Sequence, residues 1–477
     1  MKNFYPNIKI PLFITIEMEE SSDKIESAKF VVLGSSDCGK TSTVAVLEKN
    51  VLDNGNGSAR SLIVKIKHER ESGRTSSHSC HYILKQNEIT TLIDLCGHEK
   101  YLKTTMFGVM GMFTDYGILV LGANNSIGES SDLLPMVIEH LSLLISNRIP
   151  FIIIISKIDI CPPLILQLLK KQLQRRMQRN KKELIYFESD EQIENSSYLK
   201  SSHLTLIESL QERKTDIIPV IMSSNKTGHN INFIREFITE LHSEAYLERK
   251  NLIEKPVIYP SIMFIDSIFC VSGIGTVLSG TVKYADLHLG QKVIFGPLNN
   301  TYINLTIKSM QNCISENVQT LRANESGSIG IRLDAKTTFT RDMFSKGQII
   351  TTDYDFAIQH TCLTFECEVS VFNHMTTIQD GYQTVIHLGT IRQAAKFKIS
   401  ENRVLRSTSR EIISAKFIQK PEFILEGSKF MFRDGRTKGM GRVGKIIPFM
   451  LDTIDHGIKT RKRSKKSEKQ KPSKMKV

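Results

Sequence analysis

Apolar residues along this chain fall into two textures. In the first half they form short, near-continuous runs at 29–33, 89–95, 118–121, 151–155 and 217–222. Stretches with helical spacing lie between and after them, at 41–49, 133–147, 164–180 and 231–248. Runs that are apolar at most positions, without strict alternation, suit strands buried on both faces, and their alternation with helices predicts a parallel sheet covered on both sides. From Pro256 onward the runs shorten and alternate with polar residues, at 262–265, 276–283, 291–295, 303–308 and 327–333, then again from about 361 to 449. Glycines punctuate these segments and helical runs are scarce, which predicts antiparallel barrels. The expected architecture is an arm over 1–24, an α/β domain over 25–250, β-barrel domains over 256–352 and 358–450, and a basic, disordered tail over 451–477.

Composition narrows the class. A chain of 477 residues is too long for one core, and 40% hydrophobic with 24% charged residues excludes a wholly disordered or collagenous protein. The longest apolar run, 151–155, falls far short of the roughly 20 residues that span a bilayer, so no membrane association is expected. Pro6, Pro11, Glu17, Glu19 and Glu20 break up the opening residues, which do not read as a cleavable leader. Eight cysteines are scattered without a C-x-x-C pair, so neither a zinc site nor a disulfide framework is expected, and a reducing compartment is.

Charge is uneven. Residues 459–476 hold ten Lys/Arg against Glu468, which is +9 of the chain's net +13. Such a tail would gain counterion-release energy on RNA, and it equally suits a nuclear-import or solubilising role. A second basic cluster, Lys170, Lys171, Arg175, Arg176, Arg179, Lys181 and Lys182, lies in a helical stretch and reads as a solvated face.

The most specific chemistry sits in Gly34-Ser35-Ser36-Asp37-Cys38-Gly39-Lys40-Thr41, a match to G-x-x-x-x-G-K-[ST] between a buried strand and a helix. In that setting the pattern is a phosphate-binding loop. Its glycines let backbone N–H groups surround a β-phosphate, and the helix start adds its positive end. Lys40 then reaches the β- and γ-phosphates, Thr41 ligates Mg²⁺ and Ser42 bonds the α-phosphate. Ser156-Lys157-Ile158-Asp159 follows the run 151–155. A carboxylate there accepts from N1–H and the 2-amino group of guanine, whereas adenine has a lone pair at N1 and no 2-amino group. The Lys157 stem can lie over the ring, and in Ser224-Asn225, after the run 217–222, the Asn225 N–H is available to guanine O6.

Asp94-Leu95-Cys96-Gly97-His98 closes another buried run. Asp94 is suited to hold Mg²⁺ through water, Gly97 to let the backbone approach a γ-phosphate, and His98 to orient an attacking water. The polar loop Gly73-Arg74-Thr75-Ser76-Ser77 is suited to order around that centre, although spacing alone does not separate Thr75 from Ser76 or Ser77.

These residues resemble the translational GTPases related to elongation factor Tu and elongation factor 1A, and within them the GTP-binding protein 1 and 2 branch. Segments 50–60, 71–77, 94–105 and 156–162 carry the resemblance, joined by 275–282 in the second domain and by 374–377, 388–393 and 432–439 in the third. The resemblance implies a P-loop GTPase domain followed by two antiparallel β-barrel domains, and hydrolysis of GTP with Mg²⁺. It assigns Thr75 as the Mg²⁺-sensing threonine of the first switch and His98 as the histidine that positions water. A cytoplasmic, monomeric protein working with ribosome and tRNA is also implied, with mRNA-decay machinery as a further partner. Two other readings stay open: a GTP-gated adaptor in mRNA decay with little hydrolysis, and a factor delivering aminoacyl-tRNA. The chain departs from elongation factors at Ser36 and Arg74, which make the surroundings of His98 more polar, and at Cys96, where those factors have Pro. Ser156 replaces Asn or Thr, and its shorter side chain is expected to brace the base pocket less well.

Overall fold

The computed structural model describes residues 24–72, 75–129, 131–188, 197–251, 259–271, 273, 275–298, 301–333, 343–373, 377–400, 403–406, 409–434 and 437–448. The arm before Lys24, Arg74 and the basic tail lie outside them. The first domain is built on seven strands: β1 (Ile25–Leu33), β2 (Ser79–Lys85), β3 (Glu88–Asp94), β4 (Tyr116–Gly122), β5 (Phe151–Ser156), β6 (Glu183–Phe187) and β7 (Ile217–Met222). Their order across the sheet is β2-β3-β1-β4-β5-β7-β6. The central strand β1 sends Ala28, Phe30 and Val32 to one core and Val31 and Leu33 to another. This double burial explains why its sequence shows no alternation. Each of the larger side chains, Phe30, Val31, Val32 and Leu33, contributes roughly 1.5–3 kcal/mol on removal from water.

Two expectations need correction. The sheet is mixed, because β2 runs antiparallel to β3 at one edge. The edge strand β2 (SCHYILK) formed no apolar run, since it buries only part of its surface and keeps polar residues, whereas the opposite edge strand β6 (ELIYF) holds a short apolar run at 184–187 that the sequence reading passed over. The helical stretch 231–248 is two helices, Ile231–Glu240 and Glu244–Lys250, broken where Ser243 caps the second by accepting from Tyr246 N at 3.2 Å. The basic cluster lies on and just after helix Pro163–Arg179, which buries Leu169, Leu173 and Met177 and turns Lys171, Arg175 and Arg179 to solvent.

Six strands close the second domain into a barrel in the ring order Lys292–Leu298, Thr301–Asn312, Ser326–Leu333, Gly275–Lys283, Ile262–Val271 and Ile349–Thr351. The third domain closes a second six-stranded ring: Arg410–Phe417, Ile391–Lys398, Gln383–Leu388, Lys429–Asp434, Thr437–Pro448 and Thr361–Asn373, which pairs back to the first. Full closure leaves neither ring with a free edge. Both barrels dock on the α/β domain. Glu26 accepts from Ser326 N of the second domain at 2.7 Å, and Arg433 of the third domain donates to Glu139 at 2.8 Å. Helix Leu102–Gly111, just after His98, places Leu102 and Met106 against Leu143 and Met431. A change near His98 therefore has a short mechanical path to the third domain.

Candidate functional site

The loop after β1 wraps the start of helix α1 (Lys40–Lys49). Its turn requires Asp37 and Gly39 at positive φ, 58° and 94°. A Cβ on Gly34 would lie 2.3 Å from Val120 O, so only glycine lets the loop sit on β4. Lys40 is buried and folds back over the loop, donating from Nζ to Ser35 O at 3.0 Å. Gly97 closes the same corner: a Cβ there would be 2.5 Å from Lys40 Nζ and 2.7 Å from Gly34 O.

One supporting residue escaped the sequence reading. His140, on helix Pro135–Asn147, is wholly buried and accepts from Gly34 N through Nδ1 at 3.1 Å. Burial, reinforced by Lys40, pushes its pKa down to about 3, so it is a neutral acceptor. Its signal was a polar residue on the stripe Val137, His140, Leu141, Leu144, where the helix is otherwise apolar.

The expected metal ligands converge on Asp94. Thr41 Oγ1 donates to Asp94 Oδ2 at 2.6 Å and lies 3.1 Å from Thr75 Oγ1. Asp94 is fully buried, its Oδ1 has no hydrogen-bond partner, and burial holds its pKa above the ordinary range against the pull of Lys40 and Thr41. Two threonine hydroxyls beside a buried carboxylate with a spare oxygen form an all-oxygen donor set, which fits a hard divalent cation such as Mg²⁺. The three candidate hydroxyls of the switch loop are also separated: Thr75 meets Thr41, while Ser76 and Ser77 turn to Glu69.

At the other end, Ser156 is buried and donates to Cys38 O at 2.5 Å and Leu121 O at 3.3 Å, so even this short side chain reaches the phosphate loop. Lys157 takes φ 61° and extends Nζ to Asp37 O at 2.7 Å. Asp159 is exposed, with Oδ1 accepting from Ser224 Oγ at 2.7 Å, and Ser224 Oγ in turn accepts from Thr227 N. The Asn225 side chain is 3.0 Å from Thr43 Oγ1, and the backbone carbonyl of Asn225 accepts from Asp53 N at 2.9 Å.

One cavity of about 530 Å³ joins the two ends. Ser36, Asp37, Gly39, Lys40, Thr41, Ser42, Thr75, Gly97 and His98 line it towards the loop, and Lys157, Asp159 and Asn225 towards the base motif. Gly34, Ser35, Cys38, Asp94, Ser156 and Ser224 sit behind this lining as its buried support. The loop from Asp53 to Gly57, with Arg60 and Lys226, supplies further wall to which sequence reasoning had assigned no role. His98 is half-buried; its Nδ1 accepts from Lys100 N at 3.1 Å, and its ring stands edge-on to Tyr101.

Comparison with known proteins agrees with this geometry. Residues 26–253 match the family described as the elongation factor Tu GTP binding domain. GTP-binding protein 1 of Xenopus laevis is 29% identical over 449 residues, covering 88% of this chain and 63% of the frog protein, so the match spans under two thirds of that relative. GTP-binding protein 2 of Homo sapiens is 27% identical over 88% of this chain and 69% of its own. Among solved structures, the GTPase-like domain of S. cerevisiae Ski7 bound to GTP superposes with a TM-score of 0.63 at 15% identity, covering 88% of this chain and 98% of that one, a likeness of fold. Residues 26–253 therefore match a GTP-binding domain of the elongation factor Tu type, and the chain as a whole is similar to GTP-binding proteins 1 and 2.

Proposed function

We propose that this protein binds GTP with Mg²⁺ in the 530 Å³ cavity and hydrolyses it, using the nucleotide state to control a ribosome- or tRNA-associated step or RNA quality control. The observation that carries the reading is the meeting of Thr75 with Thr41 and of Thr41 with one oxygen of Asp94, whose other oxygen is spare, with Lys40 and His98 lining the same cavity. Lys40 and the loop N–H groups hold the phosphates; Ser42 takes the α-phosphate. Lys157 covers the base, and Asp159, steadied by Ser224, accepts from it, while Asn225 N–H addresses O6. His98 orients the attacking water. Bound magnesium would neutralise charge on the β- and γ-phosphate oxygens. Helix Leu102–Gly111 would then relay the state of the His98 loop to the third domain through Met106 and Met431.

Single-turnover GTP hydrolysis, with and without ribosomes, tests this directly. Ribosomes should speed the parent protein, and His98→Ala should lose most of that stimulation while GDP affinity stays nearly unchanged. Equal stimulated rates in the two proteins would remove His98 from the chemistry and favour the adaptor reading. Removing residues 459–477 should flatten the salt dependence of RNA binding if the tail contacts phosphates.

A further inference from the structure

The loop that presents Thr75 has its own anchor. Glu69 lies on the short helix Lys67–Ser72, and its carboxylate is buried at 7% exposure. A single oxygen, Oε1, accepts from Ser76 N at 2.8 Å, Ser76 Oγ at 2.7 Å, Ser77 N at 3.2 Å and Ser77 Oγ at 3.2 Å. His68 Nε2 adds a contact of 2.9 Å to Ser76 Oγ. We propose that Glu69 is a positioning residue for the triphosphate-bound state: by gripping the two serines after Thr75, it fixes the Thr75 hydroxyl beside Thr41 and Asp94. The inference rests on the guanine-nucleotide reading of the cavity and deepens it.

Two arguments support this role over simple loop packing. Hydrogen bonds to a charged acceptor are stronger than neutral ones, and four of them tie Glu69 to the two residues that follow Thr75. The anchor is itself tied to the base end of the cavity. Arg60 Nη2 donates to Glu69 O at 2.5 Å. Arg60 belongs to helix Ser58–Ser61, whose approach is organised by Asp53: Oδ1 accepts from Gly55 N at 2.7 Å and Gly57 N at 3.1 Å, and Oδ2 from Ala59 N at 3.1 Å. Asp53 N in turn donates to Asn225 O. The chain of contacts thus runs from Asn225 through Asp53, Arg60 and Glu69 to Thr75, one side of the ligand to the other.

A diphosphate offers nothing at the γ position, so Thr75 placement should matter for GTP and little for GDP. The test is a titration, with Mg²⁺, of GDP and a non-hydrolysable GTP analogue onto full-length parent, Glu69→Ala, Glu69→Gln and the double variant Ser76→Ala/Ser77→Ala. Glu69→Ala should weaken the GTP analogue by about tenfold or more and change GDP by less than about twofold. Glu69→Gln should recover much of the loss, because its amide oxygen still accepts. The serine pair keeps Glu69 and removes the two hydroxyl donors, so it reads the same effect should Glu69→Ala fail to fold. Equal weakening of both nucleotides, or no weakening of the analogue, would overturn the positioning role. A parent protein that binds neither nucleotide would instead overturn the reading of the cavity itself.

Discussion

The two ends of the cavity are built on different principles. At the phosphate end the groups are buried and held by backbone or buried partners: Lys40 on Ser35 O, Gly34 N on His140, and Thr41 on Asp94. At the end proposed to take the base, the Asp159 carboxylate is exposed and steadied by one serine, and Lys157 reaches across to a loop carbonyl. Preorganised, dehydrated donors contribute most to affinity, because little reorganisation is left to occur on binding. A few exposed side chains instead contribute selectivity, since each speaks to one edge of the base. Affinity and choice of nucleotide should therefore separate under mutation.

Lys40→Ala should give the largest effect, weakening GDP and GTP alike by roughly 100-fold or more, because it removes a buried charge aimed at the phosphates; calorimetry on both ligands reads it. Asp159→Asn should come next, at about 10- to 100-fold for guanine nucleotides. Inosine nucleotides, which lack the 2-amino group, sharpen the contrast: they should bind the parent less well than guanine nucleotides, and the variant should narrow that gap. A variant that keeps the full preference for guanine would break the assignment of Asp159.

His140→Ala should cost about tenfold for both nucleotides through the loosened Gly34 N–H, with His140→Asn recovering part of it through its carbonyl oxygen. The same residue carries a pH signature. Its folded pKa of about 3 lies below the value near 6.5 of an unfolded histidine, so between them the unfolded chain binds the extra proton. Stability should then be unaffected above pH 6.5 and fall as the pH drops below it, by up to about 1.4 kcal/mol per pH unit from this group. Urea unfolding of parent and His140→Gln across that range should show a shallower slope in the variant. The smallest effect is expected at Ser156→Ala, a few-fold loss of GDP affinity as Cys38 O loses its donor.

Much of this was legible early because it is local. The phosphate loop, the base motif and the buried strands each occupy a few consecutive residues whose pattern is set by backbone reach and strand or helix period. The edge strand β2 was not legible, since a half-buried strand of mixed polarity leaves no continuous run, whereas the short run 184–187 of β6 was there to be read. The break at Ser243 was hidden because Ile231–Glu240 and Glu244–Lys250 follow one another within a single helical stretch, and the cap is apparent only from its bond to Tyr246 N. Ser156 shows what side-chain length leaves out: the close approach of β5 to the loop brings its hydroxyl to 2.5 Å from Cys38 O, and titration of GDP onto parent and Ser156→Asn tests whether the shorter side chain still costs affinity.

By itself the sequence determined the strand–loop–helix around Lys40, the placement of Asp94 at the end of β3 and of Asp159 in the turn after β5, and the succession of one α/β domain and two β-domains. Only the tertiary structure decided which of three neighbouring hydroxyls meets Thr41, that a histidine 106 positions away supports Gly34, and that Glu69 holds the serines after Thr75. The reason is range. Periodicity and turn chemistry act over a few residues, whereas these contacts form where packed layers happen to bring distant segments within hydrogen-bond distance, and no local pattern encodes that meeting.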